Sequence, residues 1–509
     1  RGARFSFSDV VGERIQRNVE HWLLTVPDAN PGLLEMFRVR DRVPRPQLVP
    51  WAGEFIGKYL ISAIQAKRMT NDERLNALVA AVVKELIFTQ AEDGYLGPFT
   101  REERLLGHWD LWGHYHVMSA LLMQYEDAGD QAAFECAIRA ADLICSVYLD
   151  GARRPRDAGS TEMNLSVIHV FGKLYRRTGN ERYLRMMQTI LEDWESPEAG
   201  DYYRQALAGV PFYKMPKPRW ESLHAIQGLV ELHCITGEES YKNAFAHLWR
   251  TIQEYDLHNS GAFSTNEQAV GSPYGIGAVE TCCQVAWTAM SIDMLALTGD
   301  VHAADELERG FWNAILAYQH PSGRWSTYHT PSNGVREASA HSIVFQARHG
   351  TPELNCCSVN APRGLGMLSE WAVMMTNDNG VVVNYYGPME VEIPLQEGRT
   401  LRIRQETNFP RDGKVRIRLD LDTPTDFNLL LRIPAWSANT RIGVNDAPAE
   451  SITTGAYHSL ARTWQRGDVV EVELDMQFHT WVGDEAREGC LSVYYGPLLL
   501  AFDQKRNAL

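Results

Sequence analysis

No stretch of this sequence is basic enough to follow a phosphate backbone. The formal charge is −15, which repels a polyanion rather than gathering it. Nucleic acid is therefore not an expected partner. Long apolar runs are missing too: those present, such as Leu498 to Phe502, are of strand length, well short of the ~18 uncharged residues a spanning helix needs. No membrane span is expected. Cysteine is thin, eight in 509 residues, too few for a disulfide scaffold. Cys-x-x-Cys is absent altogether, which excludes a zinc ribbon or finger of ordinary spacing. Disorder is excluded by what is abundant, since 45% hydrophobic and 22% charged residues supply two or three packed domains. The expectation is a soluble protein, with the compartment open between cytoplasm and periplasm and the oligomeric state open. The chain begins at Arg1 rather than Met, so a removed leader lies outside what the sequence can address.

The first three quarters carry a repeated punctuation: an apolar helical run ends in Gly followed by an acidic or amide residue. The copies are Ala128-Gly129-Asp130, Thr178-Gly179-Asn180, Thr236-Gly237-Glu238 and Thr298-Gly299-Asp300, similarly spaced along the chain and far enough apart for two helices per unit. Gly takes the left-handed conformation that stops a helix, and the polar residue helps start the next. Each unit reads as a helical hairpin that must pack on its neighbours to bury its inner face. The pattern alone leaves a closed ring and an open solenoid as alternatives. After about residue 378 the period changes to two, as in Lys414 to Leu421 and Val469 to Leu474, which is the signature of half-buried antiparallel strands. The expected division is a helical domain over 1–377 and a β-sandwich over 378–509. Leu491 to Phe502 reads as one more strand, pairing with material beyond Leu509 as the start of a further β domain.

Half of the cysteines lie in two vicinal pairs, Cys282-Cys283 and Cys356-Cys357, well separated in the chain. Glu280 precedes the first. Three or four thiolates with a carboxylate suit zinc, although buried small residues would look the same in spacing. Thr281 is an expected N-cap for the helix striped by Val285, Ala289, Ile292 and Leu295, which places the thiols where a helix N-terminus stabilises a thiolate. Were the segment wholly helical, Glu280 would share a face with Cys283. With Glu280 extended, Cys282 joins it instead. Cys136, Cys145, Cys234 and Cys490 are expected to be inert buried thiols.

At this point the sequence resembles the β-L-arabinofuranosidases of glycoside hydrolase family 127, with family 146 close by. The resemblance is carried by Leu33-Leu34-Glu35-Met36-Phe37-Arg38, Gly113-His114, Leu223-His224-Ala225, Glu280-Thr281-Cys282, and Cys356-Cys357 with Asn360 and Arg363. It implies an (α/α)6 barrel followed by an antiparallel β-sandwich. It also implies zinc held by Glu280, Cys282, Cys356 and Cys357, with Cys356 as nucleophile and Cys283 left as a packed thiol. Glu267, in Thr265-Asn266-Glu267-Gln268, matches the family's acid/base, a short loop ahead of Glu280. His114 and His224 match its sugar contacts. One position departs: where the family has His before Glu, this chain reads Gly159-Ser160-Thr161-Glu162, which shortens or removes a hydrogen-bond donor. Trp51, Trp109, Trp112, Trp220 and Tyr274 are candidates for a stacking surface.

The function so implied is retaining hydrolysis of a non-reducing-end β-L-arabinofuranosyl unit, or a similar sugar of plant glycans, with a small carbohydrate or oligosaccharide as substrate. Cys356 attacks, and Glu267, protonated at rest, serves as acid and then base. Rivals are zinc toroids that activate a substrate thiol, a polysaccharide lyase, whose elimination product absorbs in the ultraviolet, and a non-catalytic carbohydrate-binding toroid whose zinc is closed by protein.

Overall fold

The computed structural model describes residues 2–44, 47–331, 336, 354–445, 447–503 and 506. Helices Glu54–Lys67, Asp110–Ala128, Val167–Thr178, Ser222–Thr236, Thr281–Thr298 and Cys356–Gly366 form an inner ring. Each packs on the next, and the last packs on the first, so the ring closes and the open solenoid is ruled out. Their composition fits an inner position: the first is buried continuously from Glu54 to Ala66, as a helix must be when both its faces meet protein. The outer partners are striped instead. Glu73–Phe88, for example, buries only Leu75, Val79, Val82, Val83 and Leu86.

The Gly punctuation falls at the turn from inner to outer helix in every copy. Gly129, Gly179, Gly237 and Gly299 cap their helices at φ of 71°, 66°, 74° and 66°, a region costly for residues with a Cβ. Asp130, Asn180 and Asp300 then cap the outer helices by accepting from Ala133, Arg182 and His302 N–H. Glu238 makes no such side-chain bond.

The β part contains a seven-stranded sheet and a four-stranded sheet. Lys414–Leu421 alternates exposed and buried residues as its period predicts and pairs antiparallel with Val469–Glu473, Val470 opposite Ile417. Two features depart from the expectation. The N-terminal strand Arg4–Phe7 joins the seven-stranded sheet beside Met389–Pro394, so the sheet borrows from the chain's start. Val381–Val383 pairs in parallel with Thr425–Ile433, an exception in otherwise antiparallel sheets. Leu491–Tyr495 pairs with Phe478–Val482 and turns back onto Leu498–Leu499. Cys234 and Cys490 are exposed, contrary to expectation. Cys490 directly precedes the strand that begins at Leu491, itself exposed at its first residue, and Cys234 is not among the buried positions of the Ser222–Thr236 helix.

Barrel and sandwich are joined through a buried cation. Arg432, fully buried, donates to Asp305 at 2.6 Å, Glu308 at 2.5 Å and the Asn384 carbonyl at 2.7 Å, and Trp436 Nε1 donates to Glu308 at 2.9 Å. Removing one partner of a buried pair leaves the others charged and unmatched. Arg432→Met is therefore expected to lower the unfolding free energy by about 3–5 kcal/mol, read as a fall in the urea midpoint. A midpoint equal to that of the parent protein would contradict this role.

Candidate active site

Two helix starts converge at one end of the barrel. The first is fixed by a short ribbon in which Val279–Glu280 pairs antiparallel with His329–Thr330, Glu280 opposite His329. Thr281 tightens it, its N–H donating to the Tyr328 carbonyl at 2.9 Å and its hydroxyl to the Thr327 carbonyl at 2.8 Å. The hydroxyl expected to cap the helix is thus engaged elsewhere. Glu280 occupies the N-cap position with extended backbone, φ −74° and ψ 139°. That extension is the alternative that brings Glu280 together with Cys282. The second start is built by Asn355, which accepts from Ser358 N–H at 2.9 Å while Ser358 Oγ accepts from Asn355 N–H at 2.9 Å, a reciprocal cap that opens the helix at Cys356.

Cys357 Sγ lies 3.1 Å from Glu280 Oε1 and 3.4 Å from Cys282 Sγ. Cys356 Sγ lies 3.9 Å from both Cys357 Sγ and Glu280 Oε1. All four ligand atoms fall within 4.8 Å of one another. These separations are far beyond a bonded S–S length of about 2.05 Å. They bracket the edge, about 3.8 Å, of a tetrahedron with metal–sulfur bonds of about 2.3 Å. The residues fit a metal ion. Cys283 stays outside the group, its thiol 3.7 Å from the other oxygen of Glu280.

Burial pushes Glu280, Cys282 and Cys357 well up, each favouring its protonated form. Cys356 moves the other way, held well down by hydrogen bonds from Cys282 and Cys357, with Lys58 and Tyr328 adding to the effect. The Tyr328 hydroxyl is 3.4 Å from its sulfur. Cys356 is also the one member of the four that is half-buried while the rest are buried. The half-buried cysteine is therefore also the one that most readily carries charge, and it sits in the first turn of a helix, where the dipole assists.

Glu267 is presented by a tight loop. Its own φ is 72° and that of Asn266 is 48°, and Asn266 N–H donates to the Ala278 carbonyl at 3.0 Å. Gly277 allows this closure, since a Cβ there would approach the Asn266 side chain to 2.6 Å. Arg219 bridges Glu267 at 2.9 Å and Glu221 at 2.8 Å, and His329 Nε2 stands 3.8 Å from the other Glu267 oxygen. His329 is the residue paired with Glu280, so the ribbon links Glu267 to the sulfur group. His329 and then Arg219 hold the Glu267 carboxyl below its ordinary value. These neighbours favour the ionised form, against the expectation of a resting proton.

The two histidines are used differently. His114 has both ring nitrogens against backbone, Nδ1 2.8 Å from the Asp110 carbonyl and Nε2 accepting from Leu96 N–H at 3.3 Å. His224 bonds through Nδ1 to the Tyr115 hydroxyl at 3.0 Å. Its Nε2 is buried and has no hydrogen-bond partner among the described residues. His224 stands beside the rings of Trp112 and Trp220, at 5.3 and 6.0 Å. Between the same two rings lies Lys58 Nζ, 5.5 and 5.4 Å from their centroids and 2.9 Å from Glu54, with both charged groups buried. Sequence reasoning passed over Glu54, Lys58, Arg219, Tyr328 and His329. Glu54 and Lys58 did leave a signal, two opposite charges at i,i+4 in a helix otherwise suited to burial. The other three come from segments distant in the chain and left none.

Residues 14–370 match the sequence profile described as "Beta-L-arabinofuranosidase, GH127 catalytic domain", and residues 380–476 match "Beta-L-arabinofuranosidase, GH127 middle domain". The chain is 23% identical, over 88% of its length and 75% of the relative's, to a non-reducing end β-L-arabinofuranosidase of Bifidobacterium longum subsp. longum. Among solved structures it resembles a GH127 β-L-arabinofuranosidase from Geobacillus stearothermophilus T6, with TM-score 0.77, 21% identity, and coverage of 96% of this chain and 85% of that one. A second GH127 β-arabinofuranosidase gives TM-score 0.79, 22% identity, and coverage of 97% and 83%. Those two likenesses establish the fold, a helical toroid followed by a β domain. The profile covers most of the chain, and the protein therefore belongs to the glycoside hydrolase family 127 β-L-arabinofuranosidase family and is a glycosidase.

Proposed function

We propose that the protein is a retaining glycosidase that releases a non-reducing-end β-L-arabinofuranosyl unit, or a closely similar sugar of plant glycans, with Cys356 as nucleophile and Glu267 as acid/base. The observation that carries this reading is the placement of Cys356: one half-buried sulfur, electrostatically the most readily ionised of its group, at the rim of three buried donors. A structural metal site would be closed on all sides by protein. A cysteine that is only half-buried beside three buried donors favours catalysis over a binding-only toroid. Glu280, Cys282, Cys356 and Cys357 would hold zinc, which when bound keeps the thiols deprotonated near neutral pH.

The remaining chemistry belongs to the chain's own side chains. Cys356 Sγ attacks the anomeric carbon while the bond from that carbon to the departing oxygen breaks, and Glu267 gives the oxygen a proton. Its neighbours favour the ionised form of Glu267 in the free protein, and the carboxyl takes up that proton as the glycoside covers the loop and excludes water, since loss of solvation raises a carboxyl. Water then attacks the same carbon from the opened face, Glu267 removes its proton, and the carbon–sulfur bond breaks. Two inversions give net retention. His224, with its free Nε2 beside Trp112 and Trp220, is assigned to a sugar oxygen. His114 is assigned to the wall behind it, where it anchors the start of the Asp110–Ala128 helix to Leu96.

Two substitutions separate the roles. Cys356→Ser is expected to keep the fold, by circular dichroism, and to lower kcat by roughly 10³-fold or more; near-normal turnover would remove the mechanism. Glu267→Gln is expected to lower kcat by about 10²–10⁴-fold on glycosides with poor leaving groups, and by less on nitrophenyl glycosides, whose leaving oxygen needs little protonation. Equal losses on both would argue against an acid role. A screen of nitrophenyl furanosides and pyranosides, with and without a chelator, tests substrate class and metal together: activity on a furanoside that disappears with chelator and returns with added zinc is the expected result.

A further inference from the structure

Tyr115 stands between two histidines on neighbouring inner helices. Its hydroxyl is 3.0 Å from His224 Nδ1 and 3.1 Å from His169 Nδ1, and all three side chains are buried. Burial, joined by Arg363, Lys58 and Lys173 at His224 and by Lys173 and Arg363 at His169, pushes both imidazoles well down, so both are neutral. A neutral imidazole carries one N–H, and a phenol carries one O–H. Two hydrogen bonds to one hydroxyl then require that the phenol donate to one ring and accept from the other. If Tyr115 donates to His224, His224 bears its proton on Nε2 and His169 bears its own on Nδ1. If Tyr115 donates to His169, both assignments reverse.

The two ends of this chain open to different places. His224 Nε2 is the unpartnered atom beside Trp112 and Trp220. His169, with Tyr115 itself, lines a cavity of about 90 Å³ together with Lys173, Asp293 and Arg363, large enough to admit water. That cavity lies toward the far ends of the inner helices, reached along Glu54–Lys67 by Ile61 and Gln65 and along Thr281–Thr298 by Ala289 and Ile292. Gln65 Oε1 and Gln227 Oε1, from two buried residues lining it, have no hydrogen-bond partner among the described residues, so the cavity is polar.

We propose that Tyr115 is a positioning residue that locks His224 and His169 in complementary tautomers, so that the hydrogen-bonding sense of His224 Nε2 toward the sugar is tied to His169 at the opposite mouth of the barrel. This rests on the reading of His224 as a sugar contact, and it adds a means by which that contact is prepared before substrate arrives. Tyr115→Phe keeps the ring and removes the link. His169→Leu is the second variant, leaving Tyr115 a single histidine partner.

The test is ¹⁵N NMR of histidine-labelled whole protein without substrate, followed by steady-state kinetics on the best nitrophenyl glycoside. His224 and His169 are expected to show opposite tautomers in the parent. The His224 pattern is expected to change in Tyr115→Phe and in His169→Leu. KM in Tyr115→Phe is expected to rise about 3- to 10-fold, the scale of one hydrogen bond, with kcat within about twofold, because the contact is made in ground and transition states alike. Like tautomers in the parent, or a His224 pattern indifferent to both substitutions, would overturn the proposal. Failure of the underlying reading shows itself separately, as an unchanged KM in His224→Ala.

Discussion

Four acidic groups brought within 4.8 Å of one another in a buried place repel as soon as more than one of them ionises, and the rest of this end of the molecule is arranged around that constraint. Helix geometry answers part of it. Cys282, Cys356 and Cys357 all lie in the first turn of their helices, where unsatisfied N–H groups and the dipole favour negative charge. Lys58, buried in the barrel wall, supplies a fixed positive charge that acts on both Cys282 and Cys356. A bound cation would answer the remainder, and it would reverse the direction in which burial pushes Glu280, Cys282 and Cys357.

The closed ring makes the convergence possible. Glu280 and Cys282 begin one inner helix and Cys356 begins the next, and those helices pack on each other. The same end of the ring brings in Lys58, Trp112 and His224 from three further inner helices. The ribbon between Glu280 and His329 then ties the sulfur group to the loop bearing Glu267. Cys356 and Glu267 are thus tied to one local framework rather than to two independent loops, as the proposed retaining mechanism requires.

What could be read in advance divides along physical lines. Helix stops at Gly129, Gly179, Gly237 and Gly299 were legible because a left-handed cap is a local property of two or three residues. The strands around Lys414–Leu421 were legible for the same reason. Ring closure was not legible in the helical period, since it depends on contacts between the first inner helix and the last; only the family resemblance implied it. The choice of Cys282 over Cys283 turned on a single backbone angle at Glu280, and Thr281 misled because its hydroxyl found the Thr327 carbonyl instead of the helix start. The neighbours that favour an ionised Glu267 come from far away in the chain, Arg219 well before it and His329 well after, and no local pattern announces either. Arg4–Phe7 joining the sandwich is a long-range pairing of the same kind.

The central claim is that Glu280, Cys282, Cys356 and Cys357 act as one ligand set for one ion. X-ray absorption at the zinc edge on the purified protein tests it most directly. The account predicts one zinc per chain with a shell of three sulfurs near ~2.3 Å and an oxygen near ~2.0–2.2 Å. A shell of nitrogen and oxygen alone, or a protein fully active with no metal bound, would contradict it.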